Sequence, residues 1–399
     1  MLTSGRAKQR VGTAAALLLA VAAAGMSAAP ASAAGAPAGP AAPAASFTAP
    51  GVLTGVAATS ASNAWAVGTD GNGHTLIARW NGTTWTQVSS PNPGDVNGLA
   101  AVAATSASNA WAVGDDVTSS NPQGVPLIVH WNGTAWQQVP SPNPNPKNGT
   151  TLTGVAATSA TSAWAVGESD QITGAPQPLI LHWNGTVWKQ VPSPNPDPTR
   201  GATLAGVAAT SAGSAWAAGS YGTTTSPGGQ PLTVQWNGTV WRQVPSPNPD
   251  PTRGATLTGV AATSATSAWA VGSLGNGRTL IMHGNGTTWK RAPSPNPASV
   301  AGDLLHGVAA VSAGDAWAVG DINVKSSAGP IIPNTLIARW NGTAWKLVPS
   351  PNPDAKDGDT LSAVAATSAT NAWAVGGTDI PQGGNPRTVI LHWNGTAWG

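Results

Sequence analysis

Tryptophan recurs in this chain as a triplet, and the triplet recurs seven times. An Ala-Trp-Ala core places Trp65, Trp111, Trp164, Trp216, Trp269, Trp317 and Trp373 at intervals of 46 to 56 residues. A second Trp, followed by Asn-Gly-Thr, stands at Trp80, Trp131, Trp183, Trp236, Trp340 and Trp393, and Gly284 takes its place in the fifth copy. Trp85, Trp136, Trp188, Trp241, Trp289, Trp345 and Trp398 close the copies, so the repeats hold all 20 Trp of the 399 residues. A period of this length means one supersecondary unit per copy, with neighbours stacked to bury their apolar faces.

Each copy contains four strand-like segments. In the first they are Leu53–Thr59 (A), Ala64–Gly68 (B), Thr75–Trp80 (C) and Thr83–Val88 (D). The Asn-Gly pair between C and D is the strongest short hairpin signal and predicts a two-residue type I′ turn, with Ala78 opposite Trp85. Seven such units predict an all-β, seven-bladed β-propeller of four-stranded antiparallel blades over residues 51–399. Strand A is small and apolar (Gly55-Val56-Ala57-Ala58), as seven strands converging on an axis require. The Trp side chains are expected to pack between blades, and the Pro-Ser-Pro-Asn-Pro runs after strand D end the outer edge. Gly284 leaves the fifth blade one Trp short, which predicts a loosely packed blade or else a groove beside Trp289.

The ends read differently. Arg6, Lys8 and Arg10 precede an apolar run, Val11 to Met26, and the small-residue site Ala31-Ser32-Ala33. That order is a signal peptide over residues 1–33, which predicts a secreted protein with no membrane segment after cleavage. No Cys is present, so neither disulfides nor a lipoprotein anchor is available. Residues 34–50 form an Ala/Pro-rich linker. The last copy stops at Trp398-Gly399, and residues 46–50 stand where the end of a preceding strand D would be. They are expected to complete the seventh blade. Cleavage takes three of the 17 bases and none of the 15 acids, so the formal charge of +2 becomes −1. The basicity lies in the export segment and gives no support for a nucleic-acid partner.

The run from Val56 through Ala64-Trp65-Ala66-Val67 to Arg79-Trp80-Asn81-Gly82 and Trp85-Thr86-Gln87-Val88 resembles the Trp-rich tandem repeats of secreted actinobacterial propellers. It is also similar to tectonin-type and kelch-like propellers. The Gly82-x-x-Trp85 spacing is similar to the Asp-box of sialidase-like propellers, although here Asn81 abuts the glycine. The resemblance implies the fold and leaves the function open.

Strand alternation puts the A–B and C–D turns on one face and the B–C and D–A connections on the other. The second face carries the length variation, and 14 of the 15 acids fall there against seven bases, a net charge of −7. Its binding candidates are Asp115, Asp116, Glu168, Asp170, Tyr221, Asp321, Asp357 and Asp379. Asp115-Asp116, Glu168 with Asp170, and Asp354, Asp357 and Asp359 are the places for a possible Ca²⁺, although none has the spacing of a known calcium loop. Otherwise no cofactor is expected. His130, His182, His283 and His392 share one repeat position with Arg79, Gln235 and Arg339, sit on different blades and read as structural. The Asn-Gly-Thr sites match the glycosylation pattern, but turn formation explains them.

The sequence thus predicts a monomeric, non-catalytic propeller binding a glycan, a cell-wall polymer or a protein through the B–C/D–A face. The alternatives are a carbohydrate-active enzyme on the same scaffold and a purely structural surface protein. One Tyr and one Glu make a sialidase-like site a poor fit, with Tyr221, Glu168 and Arg200 its nearest approach.

Overall fold

Each alternating apolar repeat becomes a small antiparallel sheet. The computed structural model describes residues 47–169, 175–222, 228–297, 302–325, 331–354, 356–378 and 386–399. They form six four-stranded sheets and one of three named strands, each antiparallel and in chain order. The first blade comprises Gly51–Ser60, Asn63–Asp70, Thr75–Trp80 and Trp85–Gln87. The next five follow the same plan, giving the seven-bladed propeller expected from the repeats.

The innermost strands carry the geometry that shapes the axis. Every one has a β-bulge at the same place: Leu53 pairs with Gly68 and Gly55 with Val67, leaving Thr54 over. The equivalent extra residues are Ala100, Thr153, Ala205, Thr258, His306 and Ser362. A bulge re-aims the extra residue, and all seven line one axial cavity of about 180 Å³. The bulge also drives a carbonyl against strand B. A Cβ on Gly68 would lie 1.9 Å from the Val52 carbonyl oxygen, and the equivalent glycines meet the same contact at 1.9 or 2.0 Å. Small residues are needed beside the axis too, since a Cβ on Gly55 would fall 2.9 Å from Cα of Ala101 in the next blade.

The tryptophans form the seams. Trp65 is fully buried between Trp131 and Trp136 of the next blade, with ring centroids 5.0 and 5.1 Å away. The contact repeats round the molecule until Trp373 of the seventh blade meets Trp80 and Trp85 of the first at 4.9 and 5.1 Å. The second pair in each set is edge-to-face, the arrangement that the ring quadrupole favours. The indole N–H groups of the first and third Trp in each copy are buried without a hydrogen-bond acceptor. The aromatic faces around them are the electron-rich surfaces within reach.

The C–D hairpin departs from the predicted register. Trp80 pairs with Trp85 and Ala78 with Gln87, so the loop has four residues rather than two. The cause is the Asn81 side chain. Its Oδ1 accepts from the backbone N–H groups of Thr83 and Thr84, both at 2.9 Å, and from the Thr83 hydroxyl at 2.8 Å. An Asn capping its own turn stabilises the longer loop, while Gly82 supplies the positive φ of 100°.

The seventh blade has three named strands, Asp359–Ser368, Asn371–Thr378 and Thr388–Trp393. Its outer edge is covered in two pieces. Gly399 and His392 exchange backbone hydrogen bonds, and Trp398 bridges Trp393. Further along, the Thr388 N–H donates to the Ala49 carbonyl, Gly51 N–H donates to Pro386, and Ala49 N–H donates to the Thr388 hydroxyl. Phe47 packs against the cluster around Trp80, Trp85 and Trp373. Residues 1–46 lie outside the described residues, and with them the signal and most of the linker.

Candidate functional site

Six candidates lie among the described residues; Asp170 and Asp379 fall outside them. Asp115, Glu168 and Asp321 occupy a single repeat position, the residue after the strand-B glycine. The other blades place Thr69, Ser220, Ser273 and Gly377 there. Each pairs with the innermost strand two residues before the axial bulge residue. This ring therefore lies one strand out from the axis, toward the loop face, and none of its seven residues lines the axial cavity itself.

Two contacts tie the ring to the axis. His306, which lines the cavity, places Nε2 2.6 Å from Oδ1 of Asp321. Asp321 is buried, and the imidazole is about one-third exposed, at 34%. At Gly98 a Cβ would lie 3.2 Å from the Thr69 hydroxyl of the preceding blade and 3.7 Å from Oδ1 of Asp115. The absent side chain leaves a notch between a hydroxyl and a carboxylate. Asp115 is half-buried, and burial, followed by the nearby Asp116 carboxylate, pushes its pKa up. Burial alone does the same to half-buried Glu168.

The next position alternates to the opposite face of the sheet. Asp116 stands there, so Asp115-Asp116 is not one cluster. Asp116 is buried, and burial and then Asp95 raise its pKa. Tyr221 stands at the same position in the fourth blade. It packs against the apolar cluster at the seam with the third blade and donates to Gln230 Oε1 at 3.1 Å. Asp357 lies in the loop before the seventh blade, where its N–H donates to Asp354 Oδ1 at 3.3 Å.

Most other loop-face acids hold turns. Asp197 accepts from the Thr199 and Arg200 backbones and the Thr199 hydroxyl. Asp250 accepts from Arg253 N–H and the Thr252 hydroxyl. Asp70 accepts from Asn72 and His74 N–H, and Asp95 from Ser119 N–H. Asp354 pairs with Arg387 at 3.0 Å, and fully buried Asp359 accepts from Asp354 N–H at 2.8 Å. Burial leads the causes that raise the Asp359 pKa. Among the described residues, no three His, Cys, Asp or Glu side chains gather as a metal site.

The histidine position lies on the opposite, hairpin side. His130 and His392 stack on Trp111 and Trp373 of their own blades at 4.1 Å, and the Arg79 and Arg339 guanidinium carbons lie 4.9 and 4.6 Å from Trp65 and Trp317. Gln235 donates to the Ala265 carbonyl of the next blade. These side chains cap the buried indoles. Sequence reasoning missed His306. Its signal was the extra residue in each Leu-x-Gly/Ala-Val segment of strand A, which breaks strict alternation and marks the axial position.

No family model matches the chain, and no curated protein matches it. Solved structures do share its fold. YCF48 bound to D1 peptide is 14% identical, covering 87% of this chain and 96% of that one, with a TM-score of 0.51. The BP39L lectin from Burkholderia pseudomallei is 12% identical over 88% of this chain and 98% of that one, with a TM-score of 0.52. The GH74 xyloglucanase from Xanthomonas campestris is 15% identical, covers 89% of this chain but 55% of its own, and has a TM-score of 0.55.

Proposed function

We propose that this chain is a secreted, non-catalytic binding propeller that takes a glycan, or a glycan-bearing cell-wall polymer, at the axial mouth of its loop face. The observation that supports this most is where the copies stop being copies. Packing residues repeat from blade to blade, while the ring at the mouth reads Thr69, Asp115, Glu168, Ser220, Ser273, Asp321 and Gly377. Hydroxyls and carboxylates around a recess are the donors and acceptors that a polyhydroxylated ligand needs.

The non-catalytic reading rests on roles already taken. Asp321 is held by His306, Tyr221 by Gln230, and Asp197, Asp250 and Asp354 by their turns. A lectin and a peptide-bound protein among the structures of like fold agree with a binding role for this scaffold. A glycan array and a pull-down on isolated cell walls test the reading. Retention that soluble fragments of the same polymer compete is the expected result. A folded protein retained by neither would overturn it. Release of new reducing ends from the bound polymer would make Asp115 and Glu168 catalytic carboxylates instead.

A further inference from the structure

The cations outside the loop face are concentrated on the rim. The outermost strands of the third to sixth blades are Trp188–Val191, Trp241–Gln243, Trp289–Ala292 and Trp345–Val348. They carry Lys189, Arg242, Lys290 with Arg291, and Lys346, all exposed. Lys189, Arg242, Lys290 and Lys346 share one register position, directly across from His182, Gln235, His283 and Arg339. None of the five cations forms an ion pair among the described residues. No outermost strand contains an acid. The one acid on the hairpin side, Asp315, is neutralised by Arg339 at 2.8 Å. Thr86 and Gln137 hold the same position in the first two blades, so the positive arc spans four consecutive blades.

Packing does not require this placement. The position faces solvent, and the first two blades leave it neutral. Facing sheets are spaced about 10 Å apart, so the cations recur at least that far apart around the rim. A single small anion cannot engage several of them, whereas a chain of anionic groups can. We propose that this arc docks a flexible, linear polyanion bearing phosphate or carboxylate groups, lying across the third to sixth blades. The acidic loop face repels the same polymer, which confines docking to the rim. This inference does not depend on the identity of the mouth ligand.

The test uses the full chain and inorganic polyphosphate as the probe. The variant Lys189→Gln/Arg242→Gln/Lys290→Gln/Arg291→Gln/Lys346→Gln takes its substituent from Gln137 and Gln138, which already occupy these exposed places in the second blade. The wild type should be retained at about 50 mM salt, and neutralising five contacts should flatten the log-affinity against log-salt slope by about three to four, at about 0.7 per contact for a flexible single chain. A control, Lys147→Gln/Arg253→Gln/Lys356→Gln on the loop face, should leave the slope nearly unchanged. No retention of the wild type, an unchanged slope in the rim variant, or an equal loss in the control would overturn the proposal. Tighter binding to duplex DNA than to polyphosphate would overturn the assigned partner.

Discussion

The Trp289 indole fills the space beside Gly284: a Cβ at position 284 would fall 2.8 Å from its Cε2 and 2.9 Å from its Cδ2 and Cζ2. The fifth blade was expected to be loose, yet Trp289 is 2% exposed and keeps its edge-to-face contact with Trp216 at 5.3 Å. A missing large side chain has been answered by movement of its neighbour. Two substitutions separate the competing effects. Gly284→Ala adds a clash without a new contact and should destabilise by about 1–2 kcal/mol. Gly284→Trp also displaces Trp289, but it regains the third ring and an indole donor near Ala265, the counterpart of the Trp80 bond to the Ala61 carbonyl. Thermal unfolding should rank the Trp variant above the Ala variant. The reverse order would mean that Trp289 cannot return to the position it holds in the other blades.

The ring is joined where residues 47–50 meet the seventh blade. Three hydrogen bonds to Thr388, two at Ala49 and one from the Thr388 hydroxyl to the Phe47 carbonyl, at about 1 kcal/mol each, together with the packing of Phe47, favour that junction. A chain beginning at residue 51 should therefore be about 3 kcal/mol less stable in denaturant than one beginning at residue 34. Equal midpoints would show that Trp398-Gly399 closes the blade unaided.

Acidification offers a third test. Burial depresses the pKa of His130, His182, His283 and His392 below the ordinary histidine value of 6.5. The unfolded chain then binds protons that the folded chain refuses, so stability present above pH 6.5 falls as pH drops through that value toward the folded pKa. Buried Asp359, with its raised pKa, acts with the opposite sign in the carboxylate range. The melting temperature should fall between pH 7 and about pH 5.5. Replacing all four histidines with Gln, the residue at this position in the fourth blade, should remove most of that fall. An undiminished fall would move the effect to other groups.

The fold was legible because the tryptophans mark the same three places in every copy but the fifth, where Gly284 stands at the second, and a closed ring gives six of the seven seams the same pair of Trp partners. The hairpin register was not, because Asn81 acts through its side chain, whereas the Asn-Gly rule considers only backbone φ. The site was legible by face but not by position. Asp197, Asp250 and Asp354 look like free surface charge in the sequence, yet they cap turns in the fold. Asp115, Glu168 and Asp321 each follow Ala-Trp-Ala-Val-Gly, so their shared repeat position stands in the sequence, but its pairing with the strand beside the axis appears only once the bulges are seen. His306 reaches the axis through such a bulge.

The most direct measurement is a binding isotherm, by calorimetry, of the glycan or wall fragment captured by the wild type against Asp115→Asn/Glu168→Gln/Asp321→Asn. These changes keep volume and hydrogen bonding while removing charge, so unfolding should shift little. The expected result is at least about a tenfold loss of affinity, since bonds to charged groups contribute about 1.5–3 kcal/mol each. Unchanged affinity in the folded variant would contradict binding at the axial mouth.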